Sequence, residues 1–247
     1  MINSNPSKEL LGGRMYESIN QNILEYNEIF YGGKAMNTPT YLSTGNEVLD
    51  HELKGGYRKG TLTEICGPTN TGKTLLALKA IKEIQKENKL AIYIDANRQL
   101  QRTHILENEL DEDGIIVIRP KSIEELAVLL SELVKPNIDD IGLIVIDSLA
   151  DLSTKKEQNS NICTNTDIHR SKVIKALLMR IANLVRNTEA CAIILNQLRT
   201  NFKDDGTIEV ISTSERWIKM TCDTRLRLTL DEDGDPCVEV TFKENNI

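Results

Sequence analysis

Gly67-Pro68-Thr69-Asn70-Thr71-Gly72-Lys73-Thr74 decides how this chain is read. An apolar run, Thr61–Cys66, precedes it, and Leu75–Lys86, with apolar residues at helical spacing, follows. A strand, a glycine-bearing turn and a helix in that order aim successive backbone N–H groups at one point, where the helix N-terminus adds a favourable field for anions. The pattern G-x-x-x-x-G-K-[ST] adds a lysine able to reach β- and γ-phosphates and a hydroxyl able to ligate Mg²⁺. Residues Gly67 to Thr74 therefore read as a phosphate-binding loop, with Lys73 on the phosphates and Thr74 on the metal. The competing reading is a glycine-bearing turn with a chance lysine, and the strand–helix context weighs against it.

Working outward, the loop sits in a regular alternation. Thr61–Cys66, Ala91–Asp95, Ile115–Ile118, Leu143–Asp147 and Ala192–Asn196 are short and mostly continuously apolar, as expected of strands covered on both faces. Lys73–Lys86, Gln101–Leu110, Ser122–Val134 and Ile168–Asn187 are amphipathic helix candidates, the third opened by a Ser122/Glu125 capping box. This succession predicts an α/β fold with a mostly parallel central sheet flanked by helices. Thr224–Thr229 and Val238–Phe242 alternate with period two and predict a terminal hairpin with one face more exposed. Nothing divides residues 40–247, so one core is expected there. Residues 1–39 read as a polar leader, a helix and a linker. In that helix Ile19, Ile23, Tyr26 and Phe30 form an apolar stripe that packs on its own core or on another subunit.

Three further positions fall at strand ends, where α/β sheets place ligands. Asp147 ends Leu143–Asp147 and is suited to hold Mg²⁺, directly or through water, opposite Thr74. Asp95 ends its strand as a candidate to orient or deprotonate an attacking water, or as a strand-terminal cap. Asn196 and Gln197 carry amides able to sense phosphate without changing charge. Between residues 168 and 203 seven cations face Glu189 alone, a local charge of +6. Arg199 and Lys203 lead into Arg199–Ser214, a polar stretch read as a surface loop. They are candidates for a nucleic-acid backbone, with Phe202 placed to stack on a base or to pin the loop.

The whole chain has 247 residues, 40% hydrophobic and 27% charged, which excludes a disordered chain. No apolar run is long enough to span a bilayer, and MINSNPSKELLGG lacks the apolar centre of a signal peptide, so no membrane association and a cytoplasmic location are expected. Five scattered cysteines without a CxxC pair argue against a disulfide framework or a zinc knuckle. A net charge of -7 gives no general attraction to nucleic acid, so polymer binding needs a local basic surface.

The chain resembles the RecA recombinase family, including its archaeal and eukaryotic RadA-type relatives. The likeness rests on Tyr41–Asp50, Gly67–Thr74, Tyr93-Ile-Asp-Ala96, Leu143–Ser148 and Leu195-Asn-Gln-Leu-Arg199, in order over roughly residues 40–245. It implies a RecA-like ATPase core using ATP and Mg²⁺, and side-by-side assembly as a homo-oligomer or filament on single-stranded DNA. It also implies that Ile19 to Phe30 serve oligomerisation, that Gln197 senses the γ-phosphate, and that 199–214 holds the DNA-binding loops. Lys243 resembles a lysine that reaches nucleotide across the subunit interface, and His104 stands beside the adenine position. A compact or divergent member, without the separate C-terminal domain of bacterial members, is expected.

The main departure is Asn97, where the family has the glutamate that activates water; an amide is no carboxylate base. The expected function is an ATP- and single-stranded-DNA-binding recombination protein with weak or atypical DNA-dependent hydrolysis. The alternatives are a mediator acting on a recombinase partner, and a nucleotide-gated regulatory or assembly ATPase that does not bind DNA.

Overall fold

The computed structural model describes residues 39–159, 167–202, 208–231 and 236–242, all within the unit Pro39–Ile247. The expectations for Ile19, Ile23, Tyr26, Phe30, Lys203 and Lys243 lie outside the described residues. An antiparallel ribbon, β1 (Tyr41–Leu42) and β2 (Tyr57–Arg58), encloses α1 (Glu47–Glu52), which Asn46 caps by accepting from the Val48 and Leu49 N–H groups. Then follow β3 (Leu62–Gly67), α2 (Lys73–Lys86), β4 (Leu90–Asp95), α3 (Arg102–Glu107), β5 (Ile115–Ile118), α4 (Ile123–Leu129) and β6 (Ile141–Asp147). After α5 (Lys155–Asn159) and α6 (Asp167–Val185) come β7 (Cys191–Phe202), β8 (Ile208–Ser212), α7 (Glu215–Thr221), β9 (Thr224–Leu230) and β10 (Pro236–Phe242).

The sheet runs β5-β4-β6-β7-β3-β9-β10, parallel except for β10, which pairs antiparallel with β9. The apolar runs are continuous because both faces are covered. On β6, Leu143 and Val145 pack toward α2, whereas Ile144 and Ile146 pack toward α4 and α6. On β7 the same parity puts Ile193 and Leu195 on the α2 face and Ala192 and Ile194 on the other. Each buried Leu, Val or Ile among them contributes roughly 1.5–3 kcal/mol before chain entropy is set against it. Parallel pairing has a further consequence: Gly67, Gln197, Asp147 and Asp95 end up on one edge of the sheet.

Every expected strand forms, starting within two residues of its expected position. Three local differences have physical causes. The third helix is α-helical only to Leu129 and widens into a π-helical turn, Leu130–Val134, just ahead of Lys135-Pro136, where proline has no N–H to continue the ladder. At its start Ser122 Oγ accepts from the Glu125 N–H at 3.1 Å, but Glu125 accepts from Lys121, one residue before the cap, so the box is only half formed. The segment 199–214, expected as a loop, carries the end of β7, all of β8 and the turn into α7. Arg199 to Phe202 extend β7 beyond the sheet and pair antiparallel with Ile208–Ile211. The β-branched Ile208, Val210 and Ile211 suit such a ladder.

Gly56, between α1 and β2, has φ +114°, and a Cβ there would overlap the Leu42 carbonyl oxygen. Gly56→Ala is expected to lower stability by about 2–3 kcal/mol, through a disfavoured backbone region and steric overlap. Thermal and denaturant unfolding measure this, and an unchanged midpoint would show that the ribbon opens without cost.

Candidate functional site

The loop after β3 turns by means of two residues with positive φ. Asn70 lies at 64° and Gly72 at 87°, the latter immediately before α2. Thr71, almost fully buried, ties the loop to itself through Oγ1 donating to the Pro68 carbonyl at 2.9 Å. Gly67 is required for close approach, since a Cβ there would lie 2.6 Å from the Leu228 carbonyl oxygen of β9 and 2.8 Å from Thr71 Oγ1. No acidic residue occupies the first turn of α2, so its N-terminal N–H groups face no intrinsic negative charge there. Lys73 Nζ donates to the Gly67 and Pro68 carbonyls at 3.0 and 2.5 Å. Burial lowers its pKa, while Asp147 draws it back up. The ammonium thus folds back over the loop onto its carbonyls.

Asp147, at the end of β6, is 8% exposed and faces this loop. Thr74 Oγ1, from the first turn of α2, donates to Asp147 Oδ2 at 3.1 Å, and the Tyr93 hydroxyl of β4 donates to the same oxygen at 2.6 Å. Asn97 Nδ2 reaches Asp147 Oδ1 at 3.5 Å. Burial pushes the Asp147 pKa up, opposed by the Tyr93 and Thr74 hydrogen bonds, and burial pushes Tyr93 up as well. Mg²⁺ takes few protein oxygens and completes its shell with phosphates and waters. A hydroxyl and a carboxylate this close fit such an ion, whereas no cluster of three or more metal-ligating side chains gathers among the described residues.

Asp95 pairs in register with Asp147 but makes other contacts. It is 1% exposed; Oδ2 accepts from Arg119 Nε at 2.8 Å and Oδ1 from the Gln99 and Leu100 N–H groups at 2.9 and 3.4 Å. These contacts fix the turn that carries Asn97. His104 Nδ1 accepts from the Gln101 N–H at 3.2 Å and caps α3. A cavity of about 380 Å³ does adjoin the phosphate loop, lined by Val48, Thr71, Gly72, Leu75, Leu228 and Val238 among others.

Across the edge, parity separates the two amides. Gln197 is exposed, and its position on β7 falls on the α2 face. Asn196 is fully buried on the opposite face, donating to Glu64 Oε1 and to the Thr213 carbonyl, each at 2.8 Å. Of the basic helix, Arg170 pairs with Glu157 at 3.0 Å and Arg180 donates to the Ala127 carbonyl, whereas Lys172 is exposed. Lys175 and Arg216 sit 4.7 and 5.0 Å from the Trp217 ring. Arg199 and Phe202 are placed on β7. Sequence reasoning missed Tyr93, Arg119, Glu64 and Arg225. Their partners lie far off in the chain, and only strand adjacency brings them together.

No helix among the described residues is long and apolar enough to cross a membrane. Comparison with known proteins identifies relatives of this chain. Protein RecA of Mesoplasma florum is 34% identical over 159 residues, 64% of this chain and 47% of that protein. Protein RecA of Crocosphaera subtropica is 31% identical over 198 residues, 80% of this chain and 56% of that protein. Protein RecA of Mycoplasma genitalium is 32% identical over 185 residues, 73% and 54% of the two. The chain therefore spans about half the length of these relatives. With the profile of the RecA N-terminal domain matching residues 17–228, the phosphate-type loop after β3 and the Asp147 strand set apart from it by β7, the chain belongs to the RecA family.

Proposed function

We propose that the chain binds ATP and Mg²⁺ at Gly67–Thr74 and, in a homo-oligomer, holds single-stranded DNA through residues 199–214, with slow hydrolysis. The observation that supports this reading is the Thr74–Asp147 hydrogen bond, which brings together a hydroxyl and a carboxylate of the kind a nucleotide-bound metal would use. Lys73 would turn from the loop carbonyls to the β- and γ-phosphates, and the α2 N-terminus would share the load with its N–H groups. Thr74 and Asp147 would hold Mg²⁺, which offsets phosphate charge when bound. Tyr93 holds the Asp147 carboxylate in orientation, and Asp95 with Arg119 holds the Asn97 turn. Gln197, next to Gly67 in register, would sense the γ-phosphate at the root of the β7–β8 hairpin. Residues 1–39 would supply leader, oligomerisation helix and linker to the core at 40–247, and Lys243 a contact to a neighbour's nucleotide.

Binding of a labelled thymidine oligonucleotide, followed by fluorescence anisotropy with Mg²⁺ and with or without a non-hydrolysable ATP analogue, tests the reading. Nucleotide is expected to tighten binding about tenfold or more, and rising salt to weaken it. Nucleotide binding without any DNA binding at low salt would overturn the DNA role and leave the regulatory or assembly ATPase. A second reading, a mediator that hydrolyses little and acts on a recombinase partner, is favoured by one observation: an amide, Asn97, faces Asp147.

A further inference from the structure

Glu64 sits three residues before Gly67 on β3, wholly buried, on the sheet face away from the phosphate loop. Its two oxygens are engaged by different strands: Asn196 Nδ2 of β7 donates to Oε1 at 2.8 Å and Arg225 Nε of β9 to Oε2 at 2.7 Å. Asn196 uses its whole amide, since Nδ2 also donates to the Thr213 carbonyl at 2.8 Å and Oδ1 accepts from the Gln197 N–H at 3.0 Å. The Thr213 N–H in turn donates to the Gln197 carbonyl at 3.3 Å. Both backbone groups of Gln197 are thereby held, the N–H by the Asn196 side chain and the carbonyl by the Thr213 backbone. Arg225 continues outward, donating to Ser212 Oγ at 3.4 Å and facing Glu215 Oε1 at 3.6 Å, while Glu215 accepts from the Ser212 N–H at 3.1 Å.

A fully buried carboxylate in the middle of a sheet is costly unless paired and hydrogen-bonded, and a hydrophobic residue there would leave a simpler core. What the ionic group adds is direction: it ties the strand that carries the phosphate loop to the root of the hairpin and to the first turn of α7. We propose that Glu64, Asn196 and Arg225 are positioning residues that make the base of the β7–β8 hairpin move as one piece with β3, so that occupancy of the phosphate loop changes how residues 199–214 hold a polymer. This inference rests on the nucleotide-and-DNA reading above and names its coupling element. The element is a buried polar junction on the face opposite the nucleotide, acting alongside Gln197.

Trp217, the chain's one tryptophan, reports on the junction. It lies in the first turns of α7, two residues past Glu215, with its indole N–H donating to Ser171 Oγ at 2.8 Å and its ring flanked by Lys175 and Arg216. The experiment compares the full chain with Glu64→Gln and Arg225→Lys. It reads affinity for a fluorescent ATP analogue, the shift in Trp217 emission on adding a non-hydrolysable ATP analogue, and the ratio of oligonucleotide affinities with and without nucleotide. Both variants are expected to bind nucleotide within about threefold of the parent while the affinity ratio falls from about tenfold toward unity and the emission shift is lost. A purely structural role would instead lower the melting temperature and leave the ratio and the emission shift intact, and that result overturns the proposal. If Glu64→Gln unfolds, Glu215→Gln, which weakens the outer link without leaving a fully buried charge, carries the test; an unchanged ratio there also overturns it. A parent that binds no nucleotide refutes the underlying reading, whereas a parent that couples normally with fully coupled variants refutes only the junction.

Discussion

Lys73→Ala is expected to weaken ATP binding about 100- to 1000-fold, because on the proposed reading the ammonium would make charge-assisted hydrogen bonds to phosphate worth roughly 1.5–3 kcal/mol each. The folded state should tolerate the change. Lys73 is only half-buried, and of the two carbonyls it leaves, that of Pro68 belongs to an exposed residue whereas Gly67 is buried. Burial lowers the lysine pKa while Asp147 opposes that shift, so the ammonium has no full counter-charge of its own in the loop, and on the proposed reading a phosphate would supply it. Titration with a fluorescent ATP analogue, paired with a thermal melt, separates affinity from stability. The parent should gain about 2.7 kcal/mol of stability at a nucleotide concentration 100 times its Kd, and the variant almost none at that same concentration. Equal affinity in the two proteins would remove the loop as the nucleotide site.

The parts of this molecule that were legible in its sequence are those set by local chemistry. Continuous Ile, Val and Leu runs from Ile65 to Leu195 mark strands that must be covered on both faces, and they are. The glycines at 67 and 72, with Lys73 and Thr74 at fixed offsets, carry the turn, the close approach to β9 and the helix start. The β7–β8 hairpin was hidden because its residues mix polar and apolar types without filling a sheet-internal position, although Asp205-Gly206 is a turn signal between β-prone segments. Glu64 and Arg225 were unreadable for a different reason. They are separated by 161 positions, and only the order β7-β3-β9 sets Glu64 between Asn196 and Arg225. Arg119 meets Asp95 in the same way, through the pairing of β4 with β5. Parity then explains why adjacent amides differ: one step along β7 moves the side chain from the hidden face at Asn196 to the α2 face at Gln197.

Asn97→Glu is expected to raise ATP turnover about 100-fold, the lower end of what a positioned general base contributes. The turn carrying residue 97 is held from behind, by Asp95 accepting the Gln99 and Leu100 N–H groups and by Arg119 beyond it. The residue itself faces Asp147, with Asn97 Nδ2 3.5 Å from Oδ1. An amide at that point donates a hydrogen bond to the carboxylate and can orient a water, but it cannot accept a proton at neutral pH. A glutamate supplies that acceptor and brings a second negative charge toward Asp147, a like-charge contact that Mg²⁺ and nucleotide would relieve. The variant should therefore melt at a lower temperature than the parent without ligand and recover when both are added. Turnover measured by phosphate release, with Asn97→Gln as the uncharged control, decides the matter. If the glutamate variant turns over no faster than the glutamine control at equal nucleotide affinity, something other than the missing carboxylate limits hydrolysis.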